Sequence, residues 1–227
     1  MKLAIVMPVL DEAAVLPQAL TRLQALRARG TEVIVADGGS QDASAALAQP
    51  LADTVLAAPR GRARQMNGGA AAASSRDAGD ALLFLHADTL LPEATHELVA
   101  EALRRHAWGR FDVHIEGRSP ALRLVAALMN LRSRWSGMAT GDQAIFMRRD
   151  AFDAVGGFPD QPLMEDIELS SRLKRRFGRP ACLRATVSTS GRRWEQRGVW
   201  RTIALMWRLR LAYWLGTKPE RLAEAYR

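Results

Sequence analysis

The stretch "DALLFLHADTLLP", residues 80–92, sets five apolar residues, Ala81 to Leu85, directly before His86, Ala87 and Asp88. A short continuous apolar run closed by polar residues reads as a strand buried on both faces of a parallel sheet. His86 and Asp88 then stand at its carboxyl end, where open α/β sheets bind ligands. Their two-residue spacing in extended chain turns both side chains the same way.

Outward from this stretch the first half of the chain alternates. Residues 2–7 form an apolar run ending at Pro8, and residues 13–28 carry Leu16, Leu20, Leu23 and Leu26 at helical spacing before Gly30. "TEVIVADGGS" (31–40) is a second strand, followed by a short Ala-rich helix (41–48), a brief strand (53–57) and a helix (62–75). This βαβα rhythm predicts an α/β fold with a mostly parallel central sheet flanked by helices and right-handed crossovers. After a helix at 92–106 the order changes. "WGRFDVHIEG" (108–117) alternates Phe111, Val113 and Ile115 against Asp112, His114 and Glu116, a half-exposed pattern that admits an antiparallel strand. A helix (120–135), a Gly-rich loop (137–143), a strand (144–149), helical segments (150–155, 165–177) and a strand (181–187) follow.

The 227 residues, 48% hydrophobic and 25% charged, suit one folded domain with a C-terminal appendage. The single Cys182 excludes an internal disulfide framework and a Cys-based zinc cluster, and it agrees with a reducing cytosol. Lys and Arg number 32 against 24 acids, a net charge of +8 that suits nucleic acid, an anionic membrane or a phosphorylated ligand. No nucleic-acid motif is present and acidic strand ends repel a phosphate backbone, so no nucleic-acid partner is expected. Asp11 and Glu12 interrupt the apolar start, which reads as a strand rather than a signal peptide, and no run reaches ~18 apolar residues. No G-x-G-x-x-G follows the first strand, which argues against a dinucleotide dehydrogenase.

The ends of the predicted strands gather Pro8 to Glu12, Asp37 to Asp42 and His86 to Asp88 around one crevice. Asp42 reads equally well as a helix cap. Acidic residues facing a ligand on a basic protein make sense if a divalent cation lies between them and a polyphosphate, and hard oxygen ligands suit magnesium or manganese. Asp88 is the natural ligand; His86 reads either as a ligand or as a hydrogen-bonded structural residue. Arg60, Arg62 and Arg64 give bidentate phosphate recognition, or else a solvated basic helix face. Glu165 and Asp166 offer a general base, or else first-turn acids favourable to the helix dipole.

"IVMPVLDEAAVL", "VIVADGGSQD", "GRARQMNGGA", "LLFLHADT" and "MEDIELSSRLKRR", in this order, resemble the family 2 glycosyltransferases over residues 1–190. "GRARQMN", "GDQAIFMRR" and "TSGRRWE" further resemble a small bacterial subfamily found beside radical-enzyme and arsenosugar genes. The resemblance implies the GT-A fold and inverting, metal-assisted transfer from a nucleotide diphosphate sugar to a hydroxyl acceptor that the sequence does not identify. It implies Asp166 as the catalytic base and Pro8, Leu10, Glu12, Asp37, Arg60, Arg62, Arg64 and Ala87 around the donor nucleotide. It also implies Gly141, Asp142, Gln143 and Glu165 near the donor sugar or acceptor, and Arg192 and Arg193 over the pyrophosphate. Mn2+ or Mg2+ would be held by Asp88, with His86 standing where the family usually has another Asp. Losing that negative charge weakens the expected magnesium binding and tilts the preference toward manganese. It also sustains an alternative, a nucleotide-sugar binding module with little or no turnover.

Residues 191–227 form a basic, aromatic segment in which Trp194, Trp200, Trp207 and Trp214 stand among arginines. Its helical part, 196–215, is too apolar for a freely solvated helix. Three fates are open: packing on the domain, pairing with a second subunit, or lying in an anionic membrane interface. The expected location is cytoplasmic, with a peripheral contact at the inner membrane face among these fates.

Overall fold

The computed structural model describes residues 1–74 and 76–226, without the side chains of Arg193 and Gln196. Strands β1 (Leu3–Val9), β2 (Glu32–Asp37), β3 (Thr54–Ala57) and β4 (Ala81–Phe84) pair in parallel in the order β3-β2-β1-β4. Every residue of β4 is buried, as its continuous apolar run requires. Helices α1 (Leu16–Arg27), α2 (Ser44–Ala48) and α3 (Arg62–Ala72) make the crossovers. Alternation along β1 divides the core: Ile5 and Met7 join the cluster under α1, while Ala4 and Val6 join Met66 and Ala70 of α3 on the other face. A Cβ on Gly69 would stand 2.3 Å from Val6 Cγ1, so this glycine lets α3 lie directly on β1.

The second half contains β5 (Thr89–Leu90), α4 (Thr95–Leu103), β6 (Trp108–Glu116), α5 (Ala121–Ser136), a 3-10 turn (Gly141–Gln143), β7 (Phe146–Arg148) and α6 (Arg149–Ala154). It continues through α7 (Glu165–Phe177), β8 (Ala181–Ser190), α8 (Arg192–Arg197), α9 (Val199–Trp214) and α10 (Pro219–Tyr226). β7 enters the sheet between β4 and β6, antiparallel to both; β6 runs parallel to β8, and β5 closes the edge antiparallel to β8. Among the described residues four of the seven pairings are parallel, so the sheet is mixed with a parallel majority.

β6 departs from the alternating expectation. It is antiparallel only to β7 and parallel to β8 along most of its length. Trp108 to Phe111 are buried in succession, and the in-out alternation begins only at Asp112. Arg110 can be fully buried because Asp112 lies against both it and Arg134 of α5, which pairs the charges. The C-terminal helix is divided at Gly198, which has a φ of +82°, and β5 and α10 have no counterpart in the sequence reading. One face of the appendage packs on the domain: Leu209 of α9 and Leu222 of α10 enclose Met164, and Trp194, Val199 and Ile203 meet the larger core. Among the described residues no helix is long and apolar enough to cross a membrane.

β2 lies on one side of β1 and β4 on the other, so the direction of winding reverses between β1 and β4. At such a switch point the loops leaving neighbouring carboxyl ends diverge and open a crevice.

Candidate active site

A cavity of about 160 Å³ occupies that crevice. Its walls take Pro8 from the end of β1 and Glu12 from the loop after it, His86, Ala87 and Asp88 from the loop after β4, and Arg62 from α3. Gly141 and Asp142 enter from the 3-10 turn, and Glu165 and Asp166 from the start of α7. Ten residues singled out in the sequence thus meet in one place. Leu10, Asp37, Arg60, Arg64, Gln143 and Arg192 are not in its wall. The Arg193 side chain lies outside the described residues.

Asp166 is held from two sides. Its Oδ2 accepts the Gly141 N–H at 2.9 Å, and its Oδ1 accepts the Ile167 N–H at 2.7 Å. The residue that launches α7, Met164, has a φ of +65°. This left-handed conformation costs a non-glycine residue roughly 1 kcal/mol. The contacts of Met164 with Leu209 and Leu222 hold it there, so the C-terminal helices help to aim the acidic pair.

Glu165 is nearly buried, with 5% of its side chain exposed, and stands 3.5 Å from Arg62 Nη1. Burial and the neighbouring Asp166 charge push its pKa up, while Arg62 and His86 pull it back. For Arg62, desolvation opposes the charge, but Glu165, Asp142 and Asp166 together hold its pKa above the ordinary value. His86 Nδ1 lies 3.4 Å from Asp142 Oδ1. A Cβ on Gly141 would stand 2.5 Å from His86 Nε2, so the 3-10 turn lies on the imidazole and only glycine allows the approach. Asp88 accepts the Thr89 hydroxyl at 3.4 Å.

Several of the residues outside the crevice have structural partners. Asp37 closes the "DGGS" turn by accepting the Gly39 and Ser40 N–H groups, each at 3.1 Å, and the Ser40 hydroxyl. Asp42 accepts the N–H groups of Ala13 at 3.0 Å and Ser44 at 2.9 Å, which ties the loop after β1 to the first residue of α2. Arg64 pairs with Asp160 at 2.7 Å. Gln143 is fully buried; its amide accepts the Thr140 N–H at 3.2 Å and donates to Asn130 Oδ1 at 3.3 Å.

Several contributors went unassigned in the sequence. Gln65 Nε2 donates to the carbonyls of Val9 at 2.7 Å and Ala36 at 2.9 Å, tying together the carboxyl ends of β1 and β2. Asn67 donates to the Phe158 carbonyl at 2.8 Å and accepts its N–H at 2.9 Å. "GRARQMN" is therefore largely a brace between the sheet and the segment leading into α7. Arg210 of α9 also lines the crevice, with Arg132 of α5 beside it in an adjoining cavity. Burial and then Arg210 push the Arg132 pKa down to about 10, against the pull of Asp166 and Asp142. Arg210 carried a signal, since it falls on the apolar face of its helix with Ile203 and Met206; Arg132 carried none.

Among the described residues no three His, Cys, Asp or Glu side chains converge into a metal cage. The donors at hand are carboxylates, Asp88 with Asp142, and the His86 imidazole, all in the crevice wall. Such a sparse oxygen-rich set fits a magnesium or manganese ion that takes its remaining ligands from a diphosphate, rather than an ion caged by protein alone.

The sequence model of Glycosyl transferase family 2 matches residues 4–157. None of the curated proteins matches the chain. Among solved structures, S. aureus TarS 1–349 is similar with 16% identity and a TM-score of 0.64, over 84% of this chain and 61% of that one. Glucosyl-3-phosphoglycerate synthase from Mycobacterium tuberculosis, in complex with Mn2+, UDP and glucosyl-3-phosphoglycerate, is similar with 18% identity and a TM-score of 0.60, over 83% of this chain and 70% of that one. The same mycobacterial enzyme with Mg2+ and UDP has 19% identity and the same TM-score of 0.60. The chain thus spans 61% of the length of the TarS fragment it resembles. The structural likeness establishes the GT-A fold, the sequence match covers more than half of the chain, and the chain belongs to glycosyl transferase family 2.

Proposed function

We propose that this protein transfers a sugar with inversion from a nucleotide diphosphate donor to a hydroxyl acceptor, with Asp166 as general base. The observation that carries this reading is the meeting of two acidic groups in one switch-point crevice of a family 2 fold. Asp88 comes from a strand end and Asp166 from the start of α7. As the acceptor oxygen bonds to the anomeric carbon, its proton passes to Asp166. The bond from that carbon to the diphosphate breaks, and its electrons leave on the nucleotide. The Gly141 N–H holds the carboxylate in place, and Arg62, oriented by Glu165, brings positive charge toward the leaving diphosphate. A divalent ion bound by Asp88 with His86 or Asp142 would supply further neutralisation of that diphosphate. Uridine diphosphate heads the donor candidates because the similar mycobacterial structures hold it with Mn2+ or Mg2+. The finer likeness to the subfamily beside radical-enzyme genes belongs to this reading and does not specify the acceptor.

The test is calorimetric titration of uridine, guanosine, adenosine and thymidine diphosphates, with and without manganese, on the wild type and Asp88→Ala. Metal-dependent binding of one nucleotide that Asp88→Ala abolishes is the expected result; no nucleotide binding in any condition overturns the reading. His86, in place of the usual first Asp, favours a binding module without turnover as the second reading. Donor hydrolysis or transfer that Asp166→Asn removes, with nucleotide binding intact, decides for the transferase.

A further inference from the structure

We propose that the acceptor is an amphiphile with an anionic head, bound in the slot between α5 and α9, its head on Arg132 and Arg210 and its apolar chain along the two helices. The word acceptor rests on the transferase reading; the slot and its ligand chemistry stand apart from it.

The slot is a cavity of about 90 Å³ that shares Asp142, Met206 and Arg210 with the crevice. That is the space of roughly three waters, room for a compact headgroup and not for a nucleotide. Arg132 enters from α5 and Arg210 from α9. Nε and Nη2 of Arg132 and Nε of Arg210 are buried and meet no acceptor among the described residues. Buried polar groups are ordinarily hydrogen-bonded, and charged donors most strictly so. Here two guanidiniums with such donors stand together, each cation disfavoured by burial, with Asp142 and Asp166 only moderating the Arg132 and Arg210 charges from a distance. A phosphate, with several oxygens and a charge near −2, answers two guanidiniums better than any neutral head.

The rest of the wall is apolar: Val125, Leu128 and Met129 on one side, Ile203, Met206 and Trp207 on the other. Leu128 and Trp207 also belong to an exposed apolar surface, at 49% and 66% exposure. On α5 it continues through Leu124, Leu131 and Trp135; on α9 through Leu211 and Trp214. Apolar surface gathered around a pocket marks a binding region rather than ordinary exterior. A small hydrophilic anion has no use for it, whereas an alkyl or prenyl chain leaving the slot would lie on it. Because the slot shares Asp142 with the crevice, a hydroxyl carried beside the anionic group of a head seated on the arginines would be presented toward Asp166.

The test titrates decyl phosphate, decanol and inorganic phosphate into the full chain, wild type, Arg132→Gln/Arg210→Gln and Leu128→Ser. Decyl phosphate should bind at least about tenfold tighter than either decanol or inorganic phosphate, and the double variant should lose at least about tenfold for decyl phosphate alone. Leu128→Ser, at an exposed helix position that tolerates change, should weaken decyl phosphate and leave inorganic phosphate unaltered. Equal binding of decyl phosphate and decanol, decyl phosphate binding indifferent to the arginines, or no binding of decyl phosphate overturns the inference. If the double variant does not fold, the wild-type ranking of the three probes and the Leu128→Ser result still decide. Nucleotide titration of the same samples separates the two readings: nucleotide binding without decyl phosphate binding sinks this one alone, and the converse sinks the donor site alone.

Discussion

The walls around the crevice and its adjoining slot satisfy their charges in opposite ways. On the side of the strand ends and α7 three carboxylates are tied into backbone: Asp42 to Ala13 and Ser44 and Asp37 to its own turn, both outside the crevice lining, and Asp166 to Gly141 and Ile167. On the helical wall Arg132 and Arg210 keep buried donors without an acceptor among the described residues. A wall whose hydrogen bonds close on themselves is set by folding, and its geometry is available before any ligand arrives. A wall with open donors is in a costlier state until something anionic enters. Substitutions on the first wall should therefore disturb geometry and rate, and substitutions on the second should disturb ligand binding while relieving the fold.

The largest effect belongs to Asp166→Asn. Its amide keeps the shape and the contact with Gly141 but cannot take a proton, so transfer should fall by about 10²–10⁴. Single-turnover transfer measures this, and a residual rate near wild type would break the assignment of the base. Gly141→Ala comes next. Its Cβ would meet the His86 ring at 2.5 Å, and the overpacking should cost about 1–3 kcal/mol. Relief of that clash would also shift the residue-141 N–H that Asp166 accepts. Thermal melts should show the loss, and adding His86→Ala should recover most of the stability; no recovery would place the strain elsewhere.

Arg62→Met sharpens the comparison through pH. It leaves Glu165 buried beside Asp166 without its cation, so the raised Glu165 pKa should rise further. The folded state then holds a proton that the unfolded state releases. Stability therefore falls as pH rises between the ordinary carboxylate pKa and the raised one. With Arg62 itself 45% exposed, the loss at neutral pH should be only about 1 kcal/mol. Denaturant melts from acid to neutral pH should show it, fading at the acid end and absent from Arg62→Met/Glu165→Gln.

The parallel half of the fold was legible because continuous apolar runs ended at Pro8, Asp37 and His86 give both strand identity and direction. β6 was not, because alternation in a sequence reports which face is wet and not which neighbour a strand takes. Its buried Arg110 is tolerable only through Arg134, on another element. Around the crevice, acids placed just after strands or at the start of a helix are local signals, and Glu12, Asp88, Glu165 and Asp166 line it together. The same residue types also close their own turns, as Asp37 and Gln143 do. The arginine pair could not be foreseen, since it exists only once α9 is laid against α5.

That pair supplies the smallest effect and the most direct test of the contrast. The environment of Arg132 disfavours its charge, pushing its pKa down to about 10, and no bonded partner among the described residues offsets the burial. Replacing a half-buried cation whose buried donors are unmatched with an apolar side chain of similar length removes the desolvation cost and the repulsion from Arg210 and keeps much of the packing. Arg132→Met should therefore raise stability by about 1 kcal/mol while weakening decyl phosphate binding, the signature of a residue held for a ligand rather than for the fold. Chemical denaturation of the ligand-free protein measures the first part. A loss of stability would mean that Arg132 serves the fold as Arg110 does, and the contrast between the two walls would dissolve.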